Sequence, residues 1–259
     1  MLLTFYKYQG AGNDFIIIDN RKNILDPADR KRIKQICDRR FGIGADGLMM
    51  LYDHKEVDFE MKYFNSDGYE GTMCGNGGRC IVMSAKKLKL IEQNARFKAS
   101  DGVHTAEITG TTVRLRMKDV KTIRKFGDSY FVDTGSPHYI TFTNNVDNIN
   151  VFNEGRKLRN NQRFKPHGTN VNFVKVQTDG LSIRTYERGV ENETLSCGTG
   201  VVAAAIISVY SGHIDSDNVR VKTRGGILNV SFRTTDKRIF SDIILEGPAV
   251  FVFEGEIKI

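Results

Sequence analysis

Short stretches in which apolar and polar residues alternate make up most of the chain, and this alternation predicts β-strands. In the first half the predicted strands are Leu2–Tyr8, Asp14–Asp19, Leu48–Tyr52, Asp58–Phe64, Ala95–Ala99, Val103–Ile108 and Thr112–Met117. In the second half they are Tyr130–Asp133, Tyr139–Phe142, Asn170–Val176, Leu181–Tyr186, Val219–Thr223, Ile227–Phe232, Ile239–Leu245 and Ala249–Phe253. The dipeptides Asp101-Gly102 and Thr109-Gly110 indicate tight turns between consecutive strands of the first half.

A few segments interrupt this alternation and carry apolar residues at helical spacing instead. The predicted helices are Ala28–Asp38, Arg79–Leu88, Val151–Leu158 and Gly200–Tyr210. The second and the fourth of them each come with a glycine-rich turn at their beginning. Strands that far outnumber helices, without a regular alternation of the two, predict an α+β fold.

One cluster of residues occurs twice, 123 positions apart. The pattern E-x-x-x-C-G-x-G occupies positions 70–77 and again 193–200, and in both places it follows a predicted strand and opens a helix. Isolated matches at one offset arise by chance, but a cluster of this kind indicates duplication. We therefore predict two similar domains that face each other across a cleft, with residues 1–118 in the first and 119–248 in the second.

The composition excludes several classes of protein. With 259 residues the chain is long enough for two domains, and 40% apolar residues suffice for two cores. The net charge of +7 is spread over interleaved acidic and basic residues, which argues against a nucleic-acid partner. No apolar run approaches the roughly 18 residues that span a bilayer, and the N-terminus becomes polar too early for a signal peptide. We therefore expect a cytoplasmic protein without a membrane partner.

Cys74 and Cys197 each lie immediately before a helix N-terminus in the duplicated pattern. At that position the helix macrodipole and the unpaired N–H groups favour a thiolate over a thiol and can also hold a carboxylate. A thiolate on one face of an amino-acid α-carbon and a thiol on the other can invert that centre by proton transfer. The pattern therefore indicates two-base isomerase chemistry in a cleft that closes and excludes water.

The other cysteines are expected to be structural. Cys37 lies at a helix end, and Cys80 lies within a helix, six positions after Cys74. That spacing is not one that zinc sites or redox motifs commonly use, so we expect no metal site. A redox dithiol made of Cys74 and Cys197 remains an alternative interpretation of the pair.

Polar residues cluster where several strands end, which is where sites are usually built. These clusters occupy Gly10–Phe15, Phe64–Gly68, Gly135–His138, Gly168–Asn170 and Tyr186–Gly189. Each alone is equally typical of an ordinary turn. Together they supply amides, a glutamate and Arg188, which can hold a distal carboxylate through two hydrogen bonds. The set suits a zwitterion with more than one carboxylate.

The ordered motifs of the chain resemble those of the diaminopimelate epimerase family. They are G-x-G-N-D-F at the start, G-I-G-A-D-G at 42–47, F-N-x-D-G at 64–68, C-G-N-G-x-R-C at 74–80, T-N-V-N-F at 169–173, Y-E-R-G at 186–189 and C-G-T-G at 197–200. The resemblance covers essentially the whole chain. It implies two pseudo-symmetric domains, each a curled, mainly antiparallel sheet around a central helix, with the C-terminal strand 249–259 returning to the first domain.

The resemblance also implies an activity and a set of residues. The activity is the interconversion of LL- and meso-diaminopimelate for lysine and peptidoglycan synthesis, without a cofactor or metal, by an enzyme that is often a homodimer. Cys74 and Cys197 would be the acid–base pair, and His138 and Glu187 would support catalysis. The α-carboxylate would be bound by Gly75, Asn76, Gly198 and Thr199. The rest of the substrate would be bound by Asn13, Asn65, Asn170, Glu187 and Arg188.

The chain departs from the family pattern at two positions. Gly47 stands where some members carry Gln, and Ser136 stands where many carry Asn, so a substrate contact at each position is in doubt. The rival interpretations are a proline racemase or hydroxyproline epimerase, and a non-catalytic binding protein of the same fold. The first would have little use for Arg188, and the second would have no need of two cysteines.

Overall fold

The computed structural model describes residues 2–71 and 73–258, so the outer ends of the predicted first domain, residues 1 and 259, lie outside it. The strands are β1 (Leu2–Gly10), β2 (Asn13–Asp19), β3 (Gly47–Tyr52), β4 (Phe59–Asn65), β5 (Asn94–Ala99), β6 (Gly102–Thr109), β7 (Thr112–Arg116), β8 (Ile123–Phe126), β9 (Ser129–Asp133), β10 (Pro137–Phe142), β11 (Asn170–Gln177), β12 (Gly180–Glu187), β13 (Asn192–Thr194), β14 (Asn218–Thr223), β15 (Gly226–Arg233), β16 (Ser241–Pro248) and β17 (Val250–Lys258). The helices are α1 (Arg30–Cys37), α2 (Gly75–Lys87), α3 (Val151–Arg159) and α4 (Gly198–Tyr210).

Two helices begin earlier than their sequence patterns predicted. The predicted starts, Arg79 for α2 and Gly200 for α4, are wrong by four and two residues, because the helices begin at Gly75 and Gly198. Glycine has a low helix propensity, so a glycine-rich first turn reads as a loop in the sequence. In the structure that first turn is helical, which makes Cys74 and Cys197 the N-cap residues.

Two short strands escape the sequence pattern. β8 is largely exposed and carries no clean alternation, and β13 contains only three residues. Both form because longer neighbours supply a hydrogen-bonding edge, β9 for β8 and β12 for β13. Such strands depend on tertiary context more than on local propensity.

The described chain divides into two compact units, residues 2–115 with 248–258 and residues 116–247. The division falls slightly before the predicted boundary of 118/119. The reason is that Met117 donates its N–H to the carbonyl of Ile243 and Val120 forms a bridge with Phe240, both within the second unit. The linker is therefore already part of the second unit's sheet.

The first unit is a mixed sheet in the order β17-β1-β2-β3-β4-β5-β6-β7. Pairings are antiparallel except for the parallel pairs β2–β3 and β4–β5, where α1 and α2 provide the crossovers. β17 joins this unit by pairing antiparallel with β1 along most of its length. The start of β2, the start of β3 and the end of β4 lie side by side, because Gly47 on β3 pairs with Phe15 on β2 and with Asn65 on β4.

The second unit repeats this plan strand for strand, in the order β8-β9-β10-β11-β12-β14-β15-β16. Its parallel pairs are β10–β11 and β12–β14, with α3 and α4 as the crossovers, and its other pairings are antiparallel. The same succession of pairings in both units is what a duplicated ancestral domain would leave.

A buried helix lies at the centre of each unit. α2 packs against β1, β2 and β17 at one end of its sheet and against β6 near the other, so the sheet curls around it. α4 is buried along nearly all of its length, since Val, Ala and Ile cover all its sides. A helix that is apolar on every side has to be surrounded by protein. No helix in the described part of the chain combines the length and apolar character needed to cross a bilayer.

Candidate active site

In the first unit the N-terminus of α2 lies beside the turn between β1 and β2. Cys74 is the N-cap, with extended backbone, and its side chain does not cap the helix. The Asn13 Oδ1 atom lies 3.7 Å from the sulfur of Cys74 and accepts a hydrogen bond of 3.3 Å from the side-chain amide of Asn76. The first N–H groups of a helix have no partner within the helix, so the N-terminus of α2 is suited to bind an anion beside Cys74.

The orientation of Asn13 is set from the other side by a charged network. Its side-chain amide donates to Asp46 at 2.6 Å, which leaves the carbonyl oxygen facing Cys74. Arg39 binds both Asp46 and Asp14, and Lys7 forms an ion pair with Asp14. Burial raises the pKa of Asp14, but hydrogen bonds from Arg39 and Lys7 outweigh it and hold the value at about 2.

A fully buried guanidinium lies one turn inside α2. Arg79 donates to the backbone carbonyls of Gly75 and Pro248 and to Oδ1 of Asn76, so its partners are neutral. Burial lowers the pKa of Arg79, while its interactions with Cys80 and, to a smaller extent, Cys74 act in the opposite direction. The buried positive charge therefore adds to the helix dipole near Cys74. The equivalent position in the second unit is the apolar Val202.

The space above Gly47 is filled by the ring of Tyr63. A Cβ at Gly47 would lie 2.5 Å from Cε2 and 2.8 Å from the hydroxyl oxygen of Tyr63, and a Cβ at Gly71 would lie 2.7 Å from Cδ1. Neither glycine has a positive φ, so the demand is for room and not for a backbone conformation. Asn65, at the end of β4, is exposed beside this ring. Position 47, where some family members carry Gln, thus has no side chain in this protein, and the ring of Tyr63 occupies the space.

Gly47→Ala is expected to destabilise the chain by about 1–3 kcal/mol, because the new methyl group overlaps both the Tyr63 ring and the backbone oxygen of Phe64. Urea unfolding followed by circular dichroism measures the loss. The double variant Gly47→Ala/Tyr63→Ala should lose less stability than the sum of the two single variants, since the overlap with the Tyr63 ring is relieved. Strict additivity of the two substitutions would contradict this account of the glycine.

In the second unit the N-terminus of α4 carries the other cysteine. Cys197 is the buried N-cap, and its sulfur lies 3.5 Å from the hydroxyl oxygen of Thr199. The same hydroxyl lies 2.9 Å from Nε2 of His138, which is fully buried on β10. His138 therefore contacts the thiol through Thr199. Thr134 holds the helix start by donating to the carbonyl of Thr199 at 2.8 Å.

His138 is neutral at physiological pH. Burial, followed by the positive charge of Arg188, lowers the pKa of His138 to about 3. A neutral imidazole keeps one N–H donor and one acceptor nitrogen. It can pass a hydrogen bond on without adding charge to the site.

The buried neutral His138 should make folding stability fall with acidification. The unfolded group titrates near 6.5 and the folded group near 3, so stability is full above pH 6.5 and is lost as pH falls towards 3. Over pH 6.5 to 4.5 the loss should approach about 1.4 kcal/mol per pH unit. Urea unfolding of the wild type and of His138→Gln at both pH values measures it. Equal pH dependence in the two proteins would contradict the prediction.

Three of the substrate-binding residues predicted for the second unit, Asn170, Glu187 and Arg188, lie together where β11 begins and β12 ends. Asn170 accepts a hydrogen bond from the backbone N–H of Arg188 at 2.8 Å and donates to the carbonyl of Pro137 at 3.2 Å. The Arg188 side chain is half-buried and donates to the carbonyl of His167 at 3.3 Å. Glu187 accepts from the hydroxyl of Thr194 at 2.9 Å.

The predicted residues therefore form two clusters, one in each unit. The first cluster is Asn13, Asn65, Cys74, Gly75 and Asn76. The second cluster is His138, Asn170, Glu187, Arg188, Cys197, Gly198 and Thr199. Ser136 is half-buried and stands two residues before His138 in the chain.

Sequence reasoning missed several residues that hold these clusters. They are Asp46, Tyr63, Arg79 and Asn172. All four stand in or beside the motifs, and Arg79 and Asn172 are polar residues in segments whose neighbours are buried. A polar residue in a buried segment was the available signal, since such a residue needs a partner.

Within residues 2–71 and 73–258, no group of three or more His, Cys, Asp or Glu residues is arranged to hold a metal ion. Cys37, Cys74, Cys80 and Cys197 are free thiols. Burial raises the pKa of Cys37 and of Cys80 to about 12, so both stay protonated. Neither lies at a helix N-terminus, and in this they differ from the N-cap cysteines Cys74 and Cys197.

Comparison with known proteins identifies close relatives along the whole chain. The sequence profile of the family described as diaminopimelate epimerase matches residues 5–123 and 130–252. The diaminopimelate epimerase of Flavobacterium psychrophilum is 49% identical over 98% of this chain and 100% of its own length. That of Chlorobaculum tepidum is 46% identical over 96% of this chain and 99% of its own length.

Solved structures of more distant proteins share the fold. A phenazine biosynthesis protein of the PhzF family from Bacillus anthracis superposes with a TM-score of 0.78 over all of both chains, at 14% identity. A hydroxyproline epimerase from Agrobacterium vitis gives a TM-score of 0.75 over 99% of this chain and 92% of its own, at 12% identity. At such identities the likeness concerns the fold alone, and it confirms the predicted α+β architecture.

Proposed function

The chain belongs to the diaminopimelate epimerase family, and from this premise we propose that it is an isomerase interconverting LL- and meso-2,6-diaminopimelate by inverting one α-carbon. The observation that carries the proposal is the pair of cysteines, each the N-cap of the central helix of its unit. Of the cysteines, these two stand at helix N-termini, where a thiolate is favoured. A racemase for proline-like substrates would have little use for Arg188. A non-catalytic binding protein would have no need of two N-cap cysteines.

We assign Cys74 and Cys197 as the acid–base pair. In one direction the first thiolate removes the α-proton while the second thiol delivers a proton to the opposite face, and the roles are exchanged in the reverse direction. The intermediate carries its extra charge on the α-carboxylate. Backbone N–H groups of Gly75, Asn76, Gly198 and Thr199 lie in the first turns of the two helices and would stabilise that charge as it develops.

The remaining side chains suit the distal amino-acid group. Arg188 would hold the distal carboxylate through two hydrogen bonds, with its backbone fixed by Asn170. Glu187 supplies an acceptor for an ammonium group, and Asn13 and Asn65 supply amides from the first unit. A substrate with a single carboxylate would leave this set unused.

The reaction needs neither pyridoxal phosphate nor a metal in this proposal, because helix ends and neutral donors supply the stabilisation. We place it in the cytoplasm, whose thiol pool would keep both cysteines reduced. The product would enter lysine and peptidoglycan synthesis. We further propose that the protein acts as a homodimer without nucleic-acid or membrane partners.

Proton NMR of LL-diaminopimelate in D2O with the reduced, metal-free protein tests the function directly. The expected result is the meso isomer, with deuterium incorporated at the inverted carbon and no added cofactor. If the substrate is unchanged, L-proline and trans-4-hydroxy-L-proline are offered to the same sample. Exchange with either would favour the racemase alternative, and no exchange with any of the three, with both thiols titrated as free, would rule out the isomerase.

A further inference from the structure

A buried amide on β11 lies beside His138. Asn172 is fully buried, two residues after Asn170 on the same face of the strand. Its Oδ1 accepts a hydrogen bond from the hydroxyl of Thr185 at 2.9 Å. Its Nδ2 donates to the backbone carbonyl of Tyr139 at 3.2 Å and lies 3.1 Å from Nδ1 of His138.

These partners determine which way the amide points. The carbonyl of Tyr139 can only accept, so the nitrogen of Asn172 must face it. The second hydrogen of that nitrogen then points at Nδ1 of His138. Nδ1 has to be the acceptor, and the single hydrogen of the neutral imidazole is therefore on Nε2.

The hydrogen on Nε2 in turn orients the hydroxyl of Thr199. The oxygen of that hydroxyl lies 2.9 Å from Nε2 and accepts its hydrogen, while the amide nitrogen of Asn170, itself a donor, lies 3.5 Å away and donates to the carbonyl of Pro137. The hydroxyl hydrogen is then available to the sulfur of Cys197 at 3.5 Å. A one-way chain of donors runs from Asn172 through His138 and Thr199 to the sulfur.

The positions that correspond to Asn172 and His138 are apolar in the first unit, as the duplication shows position by position. Asn172 and His138 correspond, at the offset of 123, to Met49 and Phe15. Both pairs lie over the equivalent helix glycine: a Cβ at Gly200 would lie 2.6 Å from Oδ1 of Asn172 and 3.3 Å from Cε1 of His138. A Cβ at Gly77 would lie 3.3 Å from Sδ of Met49 and 3.6 Å from Cε1 of Phe15.

We propose that Asn172 is a positioning residue that sets the tautomer of His138, so that the Thr199 hydroxyl donates to the thiolate form of Cys197. The proposal rests on the proposed function of Cys197. Because the apolar Met49 and Phe15 stand in the first unit where the second has Asn172 and His138, the two cysteines are stabilised by different means. Cys74 relies on the helix end and the buried Arg79, and Cys197 relies on the helix end and this chain of donors.

The first test determines the tautomer of His138 in the wild-type protein. In protein labelled with ¹⁵N-histidine, His138 should show a protonated Nε2 and an unprotonated Nδ1, unchanged on acidification to pH 5. The signal is assigned by its loss in His138→Gln. Protonation on Nδ1 in the wild type would overturn the proposal whatever the activity of the protein.

The second test reverses the chain. Asn172→Asp keeps the shape but replaces the donor by an acceptor, so the hydrogen of His138 should move to Nδ1 and the Thr199 hydroxyl should turn towards Nε2. We expect kcat for diaminopimelate to fall about 10²-fold, with KM within about threefold, as for the loss of one oriented donor. Asn172→Met, which copies the first unit, should lose activity to a similar degree without moving the hydrogen to Nδ1.

Two controls separate positioning from folding. Thr185→Val removes the hydrogen bond on the far side of the amide and should leave both the tautomer and kcat near the wild-type values. In a Thr199→Val background, Asn172→Asp should have little further effect, because the chain is already broken. A folded Asn172→Asp variant with wild-type kcat, or one whose effect is undiminished by Thr199→Val, would overturn the proposal. Inactivity of the wild type towards diaminopimelate would instead count against the proposed function.

Discussion

Cys74→Ala and Cys197→Ala are each expected to lower kcat for LL-diaminopimelate by about 10⁴-fold or more, with circular dichroism and melting temperature close to those of the wild type. In the proposed mechanism each substitution removes the proton carrier for one face of the α-carbon, and general acid–base catalysis of this kind contributes about 10²–10⁴-fold for each group. Cys74 is half-buried, and neither Cys74 nor Cys197 caps its helix through its side chain, so the fold should survive.

The matched controls are the other two thiols. Cys37→Ala and Cys80→Ala remove sulfurs that are buried and held protonated, so turnover should stay near wild type while stability falls by about 1–2 kcal/mol, as for loss of a small buried group. Initial rates and urea midpoints for all four variants measure the contrast. Substantial turnover in either N-cap variant would remove that cysteine from the acid–base pair.

Arg188→Met is expected to lower kcat/KM for diaminopimelate by roughly 10²- to 10³-fold, the usual cost of truncating one member of a desolvated charge pair. Because contacts remote from the reacting carbon also position it, part of the loss should appear in kcat. The backbone contact of Arg188 to Asn170 is unaffected by the substitution, so the loop should keep its conformation.

Two variants calibrate the Arg188 result. Arg188→Lys keeps the charge but not the two parallel donors, and should lie between Arg188→Met and the wild type. Arg233→Met removes an arginine whose side chain is 83% exposed, and should leave kcat/KM unchanged. Stopped assays over a range of substrate concentrations separate kcat from KM. A kcat/KM for Arg188→Met equal to that of Arg233→Met would exclude Arg188 from substrate recognition.

The residue types and their spacing were sufficient to predict most strands and helices and the two cysteines proposed to act as acid and base. Alternation located most strands to within one or two residues, since an exposed and a buried face impose a period of two on the sequence. The repeat of C-G-x-G identified Cys74 and Cys197, because a thiol before a helix N-terminus has properties that follow from local backbone geometry alone. The start of α2 was misplaced because its glycines look like a loop when nothing packs on them.

Tertiary structure decided which distant residues become partners. The proposed tautomer of His138 depends on Tyr139, on the same strand β10, and on Asn172, on the neighbouring strand β11. The pairing register of these two strands brings Asn172 to His138, and local periodicity does not specify that register. The space next to Gly47 is filled by Tyr63, which lies on the neighbouring strand β4. Strand β17 belongs to the first unit because it forms backbone hydrogen bonds with β1. Local sequence is governed by short-range sterics and periodicity, which set elements and residue chemistry. Hydrogen-bond direction, burial and strand partners arise from long-range packing, and these were settled only when the chain folded.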